Sequence, residues 1–263
     1  MDKKIQLGLY TGSTVPALFV DNIANMLIDL AYNDALYIER PVQHIMSSRI
    51  DGARNALIQN FLEETTASHL FILDSDMKHP PMMPRMLMMR EKEIISGLYF
   101  HRNPQYHYPH FYKYVGEKED KRRGYRDDVN WHFSPMIEEA YEFFSGLEKV
   151  PETDTPLCIV GSGGTLMEHS VVRIEGGGFG CLLLSREALE KLSPPYLQDE
   201  PGLNGDLSFY KKCKEAGIEV FGDFSCVATH TIDYNVSIGD FVQYLARNMK
   251  VEEGSPPLII AKR

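Results

Sequence analysis

The 263-residue chain contains no Cys-x-x-Cys pair; its four cysteines, Cys158, Cys181, Cys213 and Cys226, stand far apart. Neither a disulfide framework nor a cysteine zinc site is expected, and the thiols read as small buried hydrophobes in a reducing compartment. There is also no apolar run near the roughly 20 residues that span a bilayer. The apolar start behind Lys3-Lys4 is broken by Gln6, the polar cluster Thr11–Thr14, Pro16 and Asp21, too early for a signal peptide. A cytoplasmic location is therefore expected. Positive charge is scarce: 27 Lys and Arg stand against 37 Asp and Glu, a formal net charge of -10. A general nucleic-acid coat needs a basic surface that displaces phosphate counterions, so that class is disfavoured, although a local basic groove is not. An acidic protein that handles an anion needs a metal or a few placed Arg and Lys side chains. No internal repeat or low-complexity tract is present.

What is present is an alternation of short apolar runs with amphipathic ones, the pattern of an α/β chain with a mainly parallel central sheet flanked by helices. Ile5–Tyr10 reads as the first strand. A helix follows from Pro16 to Tyr32, with Leu18, Phe19, Ile23, Met26, Leu27 and Leu30 as its apolar face. Ala35–Glu39 is a weaker strand candidate. Asp51–Glu64 reads as a helix, Leu70–Leu73 as a short buried strand, Pro80–Glu91 as a helix with an uncertain start, and Ile94–Leu98 as a strand. From Tyr99 to Pro156 neither helical nor strand periodicity is clear, so this segment is expected to be a loop-rich insertion over the site of a single domain spanning 1–263. Strands resume at Val171–Glu175 and Phe179–Ser185, then helices at Arg186–Leu192 and Asp206–Ala216, the latter ended by Gly217. Val220–Phe221 and Ser225–Thr229 read as strands, Phe241–Met249 as a terminal helix and Glu252–Pro257 as an exposed tail.

The chemistry points to Phe71-Ile72-Leu73-Asp74-Ser75-Asp76. An apolar strand ending in two carboxylates one residue apart sets both at the carboxyl end of the sheet, where open α/β folds bind ligands. Magnesium and manganese prefer oxygen ligands, and a carboxylate pair with substrate phosphates is a usual arrangement. Three further signals stand in order along the chain, one upstream of this segment and two downstream. They are Gly52-Ala53-Arg54-Asn55-Ala56 at a helix start, Gly176-Gly177-Gly178-Phe179-Gly180, and Gly205-Asp206-Leu207-Ser208-Phe209 with His230 beyond it.

This combination resembles the family 2-like glycosyltransferases of the GT-A fold, the nucleotide-diphospho-sugar transferase fold, over most of Ile5–Thr231. The resemblance implies a donor site at Thr11, Gly12, Arg54, Asp74, Ser75, Asp76, Gly177 and Gly178. It implies Asp76 as a metal ligand, Asp74 nearer the ribose or a metal-bound water, His230 as a third ligand and Asp206 as the catalytic base. Gly205 departs from the pattern, since relatives often have Glu there. The implied activity is metal-dependent transfer, with inversion, from a nucleotide-diphosphate sugar such as a UDP-sugar. The cofactor would be manganese or magnesium, and the acceptor a glycan, lipid, protein or modified nucleobase.

Each residue has a plainer use. Asp206 could cap its helix, His230 could be a structural histidine, Gly176–Gly178 a turn and Arg54 a surface residue. His101, His107 and His110 fit no familiar zinc spacing and suit stacking on a sugar better. Met82, Met83, Met86, Met88 and Met89 suit core packing or a soft acceptor wall. A sugar nucleotidyltransferase on the same sheet is an alternative activity, although Tyr10–Thr14 lacks the basic residue its phosphate loop would carry. A non-catalytic sugar-binding relative is another.

Overall fold

The computed structural model describes residues 3–11, 16–47, 49–103, 107–119, 129–147, 150–151, 156–161, 164–200, 203–231, 235–236, 238–248 and 260–261. The first half alternates strand and helix: β1 (Ile5–Thr11), α1 (Ala17–Tyr32), β2 (Val42–Met46), α2 (Ile50–Glu64), β3 (His69–Asp74), β4 (Met77–Lys78), α3 (Met83–Met88) and β5 (Ile94–Leu98). Next come β6 (Phe111–Glu119), β7 (Val129–Pro135), α4 (Ile137–Ser145), β8 (Val150–Pro151), β9 (Leu157–Cys158), β10 (Val171–Ile174) and β11 (Gly176–Gly177). The chain ends in β12 (Cys181–Ser185), α5 (Arg186–Glu190), α6 (Gly205–Glu215), β13 (Val220–Val227), β14 (Thr229–Thr231), β15 (Asn235–Val236), α7 (Ile238–Asn248) and β16 (Ile260–Ala261).

The main sheet has the order β10-β13-β5-β12-β3-β1-β2, with β9 beside β13. β1 runs parallel to β2 and β3, and β13 runs parallel to β5. β12 lies antiparallel between β3 and β5, so β2, β1, β3, β5 and β13 all point one way with one reversed strand among them. The expected α/β architecture is the observed one. Alternation along β3 sends Leu70 and Ile72 to one face and Phe71 and Leu73 to the other. The first pair packs with Leu57, Ile58 and Phe61 of α2, Leu189 of α5 and Phe209 of α6. The second packs with Phe19, Met26 and Leu30 of α1 and Met83 and Leu87 of α3. Each such side chain contributes about 1.5–3 kcal/mol when buried.

Several expectations are corrected. Ala35–Glu39 makes only an isolated bridge from Leu36 to Ile5, and the second strand is β2, after Pro41. β2 is the sheet edge, so its sequence Val-Gln-His-Ile-Met mixes polar and apolar residues and does not read as a core strand. The segment 99–156 is not loop-rich throughout: β6 pairs antiparallel with β7, and α4 follows, packing Ala140 and Phe144 into the core. The two strands expected over Val220–Thr229 are one strand, β13, with an irregularity between Asp223 and Val227 that masks its period. Leu18 is exposed and does not share the buried face of α1. Met83 and Met86 are core residues, while Met82 and Met89 reach the surface. Gly217 follows α6 with φ +71, as a helix-ending glycine should. Gly12 and the tail Glu252–Pro257 lie outside the described residues. No helix among the described residues is long and apolar enough to cross a membrane.

Candidate active site

The carboxyl ends of β1, β3 and β5 open onto a cavity of about 850 Å³, lined among others by Tyr10, Arg54, Asp74, Asp76, Asp206 and His230. Arg54 is at its centre and is only 4% exposed. It sits on the buried face of α2, one turn before Leu57 and Ile58, and therefore enters the cavity from beneath. Its guanidinium donates to Asp74 Oδ1 at 3.1 Å, to Tyr10 Oη at 2.9 Å, and to Asp206. The rings of Tyr10 and Phe179 flank it, each with its centroid 4.9 Å away. Burial works against the Arg54 charge, but Asp74 and Asp206 outweigh it, so its pKa lies above the ordinary value. The plain reading of Arg54 as a surface residue is excluded.

Asp74 and Asp206, 132 positions apart in sequence, are thus bridged by one cation. Asp206 occupies the first turn of α6 but does not cap it: the Asn204 side chain does, accepting from Leu207 N at 2.9 Å. Burial, less the effect of Arg54 and reinforced by Asp74, Asp51 and Asp199, pushes the Asp206 carboxyl up to about 6. Asn55, next to Arg54, fastens the segment leading to α6. Its amide donates to Leu197 O at 2.7 Å, and its Oδ1 accepts from the N–H groups of Tyr196 and Leu197 at 2.6 and 3.0 Å. The Ala-Arg-Asn sequence is therefore one turn of helix with two tasks.

On the far side of Asp74 the chain turns into β4, and β14 pairs with it, His230 opposite Met77. Thr231 donates to the Asp76 carbonyl through N and Oγ1 at 2.8 and 3.0 Å, which fixes the Asp76 backbone against β14, and Asp76 and His230 line the same cavity. His230 Nδ1 lies 2.8 Å from the Phe100 carbonyl. A carbonyl only accepts, so Nδ1 carries the proton and Nε2 is the lone-pair nitrogen, the tautomer a metal-binding imidazole needs. Among the described residues no group of three or more His, Cys, Asp or Glu side chains forms a complete metal cage. One carboxylate and one correctly protonated imidazole nevertheless fit a divalent cation whose other positions go to phosphate oxygens and water. Asp74, the other expected ligand, has its carboxylate engaged by Tyr10 at 2.7 Å and by Arg54.

Four expected donor residues are not on the cavity wall. Thr11 points to the α1 face, with Oγ1 2.7 Å from His44 Nε2; its neighbour Tyr10 faces the cavity, as alternation along β1 requires. Gly177 and Gly178 are buried behind the wall, where a Cβ on Gly177 would meet Tyr210 Oη at 2.6 Å and one on Gly178 would collide with Tyr99 Oη. Their bareness serves packing under α6, and Gly176–Gly177 forms a strand against β6 rather than a turn. Ser75 lies in the turn before β4, also off the wall.

The aromatic segment supplies part of the wall. Tyr99 stacks on His110 at 4.6 Å, and His101 stacks on the same His110 at 5.2 Å. Burial, with His101, His230 and Arg102 nearby, holds the His110 pKa well below the imidazole range, so this pile is neutral. Arg49, Asp51, Arg102 and Asp199 also line the cavity and were not singled out from sequence. Only their spacing from Arg54, His101 and Asp206 could have drawn attention to them.

No protein-family model matches the chain, and no curated protein matches it. Among solved structures the fold is similar to A197 from STIV, with a TM-score of 0.51 at 14% identity over 88% of this chain and 86% of that one. A structure of GalNAc-T7 with UDP, GalNAc and Mn2+ matches with a TM-score of 0.46 at 9% identity, over 93% of this chain and 48% of that one. At these identities the first likeness describes the α/β fold alone.

Proposed function

We propose that the chain is a GT-A-type glycosyltransferase that moves a sugar from a nucleotide-diphosphate sugar, a UDP-sugar by family resemblance, to an acceptor hydroxyl with inversion. The observation that carries this reading is the Arg54 bridge between Asp74 and Asp206, in one cavity with Asp76 and His230. Asp76 Oδ and His230 Nε2 would hold manganese or magnesium, which supplies charge neutralisation for the departing diphosphate. Arg54 supplies a fixed positive charge beneath the ligand, and Tyr10 helps to hold it in place. Asp206, with a pKa near 6, is ionised at neutral pH yet basic enough to take the acceptor proton. As the acceptor oxygen bonds to the anomeric carbon, the bond from that carbon to the diphosphate oxygen breaks on the opposite side, and Asp206 receives the proton. The neutral pile of Tyr99, His110 and His101 offers ring faces to a sugar or acceptor.

The test is incubation of the protein with a panel of sugar nucleotides, with and without manganese, following free nucleoside diphosphate. One donor should be hydrolysed slowly even to water, and only with the cation. Asp76→Ala should lose cation-dependent nucleotide binding. Asp206→Asn should keep binding and lose transfer. Parental transfer by Asp206→Asn removes the base assignment. Pyrophosphate release from a nucleoside triphosphate and a sugar phosphate, with no diphosphate product, would replace this function by nucleotidyl transfer.

A further inference from the structure

The Asp76 carboxylate does not stand alone at the cavity. Arg102, just beyond β5, places Nη1 3.5 Å from Asp76 Oδ2, with the two side chains 62% and 41% exposed. An ion pair this long and this exposed shifts an equilibrium only about 2- to 5-fold. The two partners differ in how they are held. Asp76 is anchored through its carbonyl by Thr231 N and Oγ1, whereas the Arg102 side chain projects largely into solvent. Arg54, the buried arginine of the same cavity, is held by two carboxylates and a tyrosine hydroxyl. Arg102, like the exposed Arg49 on the same wall, is therefore a cavity arginine that a ligand can recruit at little expense, and of the two it is Arg102 that contacts Asp76. A guanidinium binds a diphosphate through paired, charge-assisted hydrogen bonds that are shorter and stronger than its 3.5 Å contact with Asp76.

We propose that Arg102 is a diphosphate-capturing residue that also guards Asp76. Without ligand it neutralises the carboxylate a cation would use. An arriving nucleoside diphosphate draws the guanidinium away, Asp76 is released to the cation, and the two ligands strengthen each other's binding. Coupling of this kind is reciprocal, so the diphosphate raises cation affinity by the same factor as the cation raises diphosphate affinity. The inference rests on the glycosyltransferase reading of the cavity and adds to it a residue that orders ligand entry.

The experiment is a calorimetric titration of Mn2+ into the full chain, alone and with UDP or GDP present, for the parent, Arg102→Ala and Arg102→Lys. Arg102 is exposed, so the variants should keep the parental melting temperature, which is checked first. Arg102→Ala should bind Mn2+ alone about 2- to 5-fold more tightly, because the competing cation is gone. It should bind the diphosphate with Mn2+ roughly 10-fold more weakly. Arg102→Lys should fall between the two on both measures. Unchanged or weaker Mn2+ binding by Arg102→Ala, or undiminished diphosphate binding, overturns the role of Arg102. A parent that binds neither diphosphate with Mn2+ overturns the glycosyltransferase reading itself, and this inference with it.

Discussion

Asp51 occupies the space that a side chain at position 205 would need: a Cβ on Gly205 would lie 2.5 Å from Asp51 Cγ. This accounts for the glycine at a position where the resemblance drawn from the sequence leads one to expect Glu. The Asp51 carboxylate comes from the first turn of α2 and stands on the cavity wall next to Asp199, whose Oδ1 accepts from Gly205 N at 2.9 Å. Burial, with Asp199 close by, raises the Asp51 pKa. Position 205 is thus bare because helix α2 already delivers a carboxylate there.

That packing makes a first prediction. Gly205→Ala should destabilise the protein by about 1–3 kcal/mol, the usual penalty for overfilling a packed site. Asp51→Ala combined with Gly205→Ala should regain most of the loss. Urea denaturation of the two single variants and the double variant measures it. Additive losses across the cycle would mean that the two residues do not compete for the same space.

Removing Arg54 leaves two carboxylates in the cavity without their shared cation. Arg54→Met should lose about 3–5 kcal/mol of stability at neutral pH. Arg54 also lowers the proton affinity of Asp206, so its loss lifts that carboxyl above about 6. Protonation then relieves the repulsion with Asp74, and the destabilisation should shrink as the pH falls towards 5. Denaturation curves at several pH values check the trend; a penalty independent of pH contradicts the bridge.

Tyr10 and Thr11 are adjacent in sequence and face opposite sides of the sheet. Tyr10→Phe deletes a hydroxyl that donates to Asp74 at 2.7 Å and accepts from Arg54 at 2.9 Å, and should cost about 1–2 kcal/mol of stability and weaken nucleotide binding. Thr11→Ala should leave nucleotide affinity at the parental value. Equal effects on binding would place the ligand elsewhere.

Two buried histidines set an acid limit on stability. Burial holds His79 at about 4, and burial with Lys3 nearby does the same for His69. Both folded values are depressed, so their contribution is complete above the unfolded pKa of about 6.5 and is lost as pH falls from there towards 4. Asp206 acts in the opposite direction: its folded value is raised, so protonation between about 6 and 3.8 favours the folded state and offsets part of the loss. The melting temperature should therefore decline below about pH 6.5, and His79→Gln should flatten the decline. A melting temperature constant from pH 7 to 4.5 would contradict the burial of neutral imidazole.

The sheet was legible because its strands are continuous apolar runs closed by polar turns. Phe71–Leu73 and Cys181–Ser185 could not lie at a surface. Asp74, Asp76, Arg54, Asp206 and His230 were legible because they occupy strand ends and helix starts, where a parallel sheet brings distant residues together. Where the structure departs from the expected placement, the causes are equally local. The resemblance points to Thr11 at the end of β1, whereas alternation along the strand turns its neighbour Tyr10 to the cavity. The resemblance places Gly177 and Gly178 at the donor, while in the fold they make room for Tyr210 and Tyr99, whose positions depend on tertiary packing. Edge strand β2 lacks a core signature because one of its sides has no neighbouring strand. Arg102 and Asp51 carry no pattern of their own and become visible only through the groups they meet.

The reversed strand β12 has a consequence for how the molecule assembles. It joins β3 to β5, so the middle of the sheet is closed by a segment made more than 80 residues after β5. The N-terminal half, although it carries both aspartates of the Asp-Ser-Asp turn, has no neighbour for the inner edges of β3 and β5 until Cys181–Ser185 arrives. Contacts this distant along the chain slow folding and expose strand edges while they are awaited. Fragments ending before β12 should therefore aggregate during synthesis instead of accumulating as a folded unit.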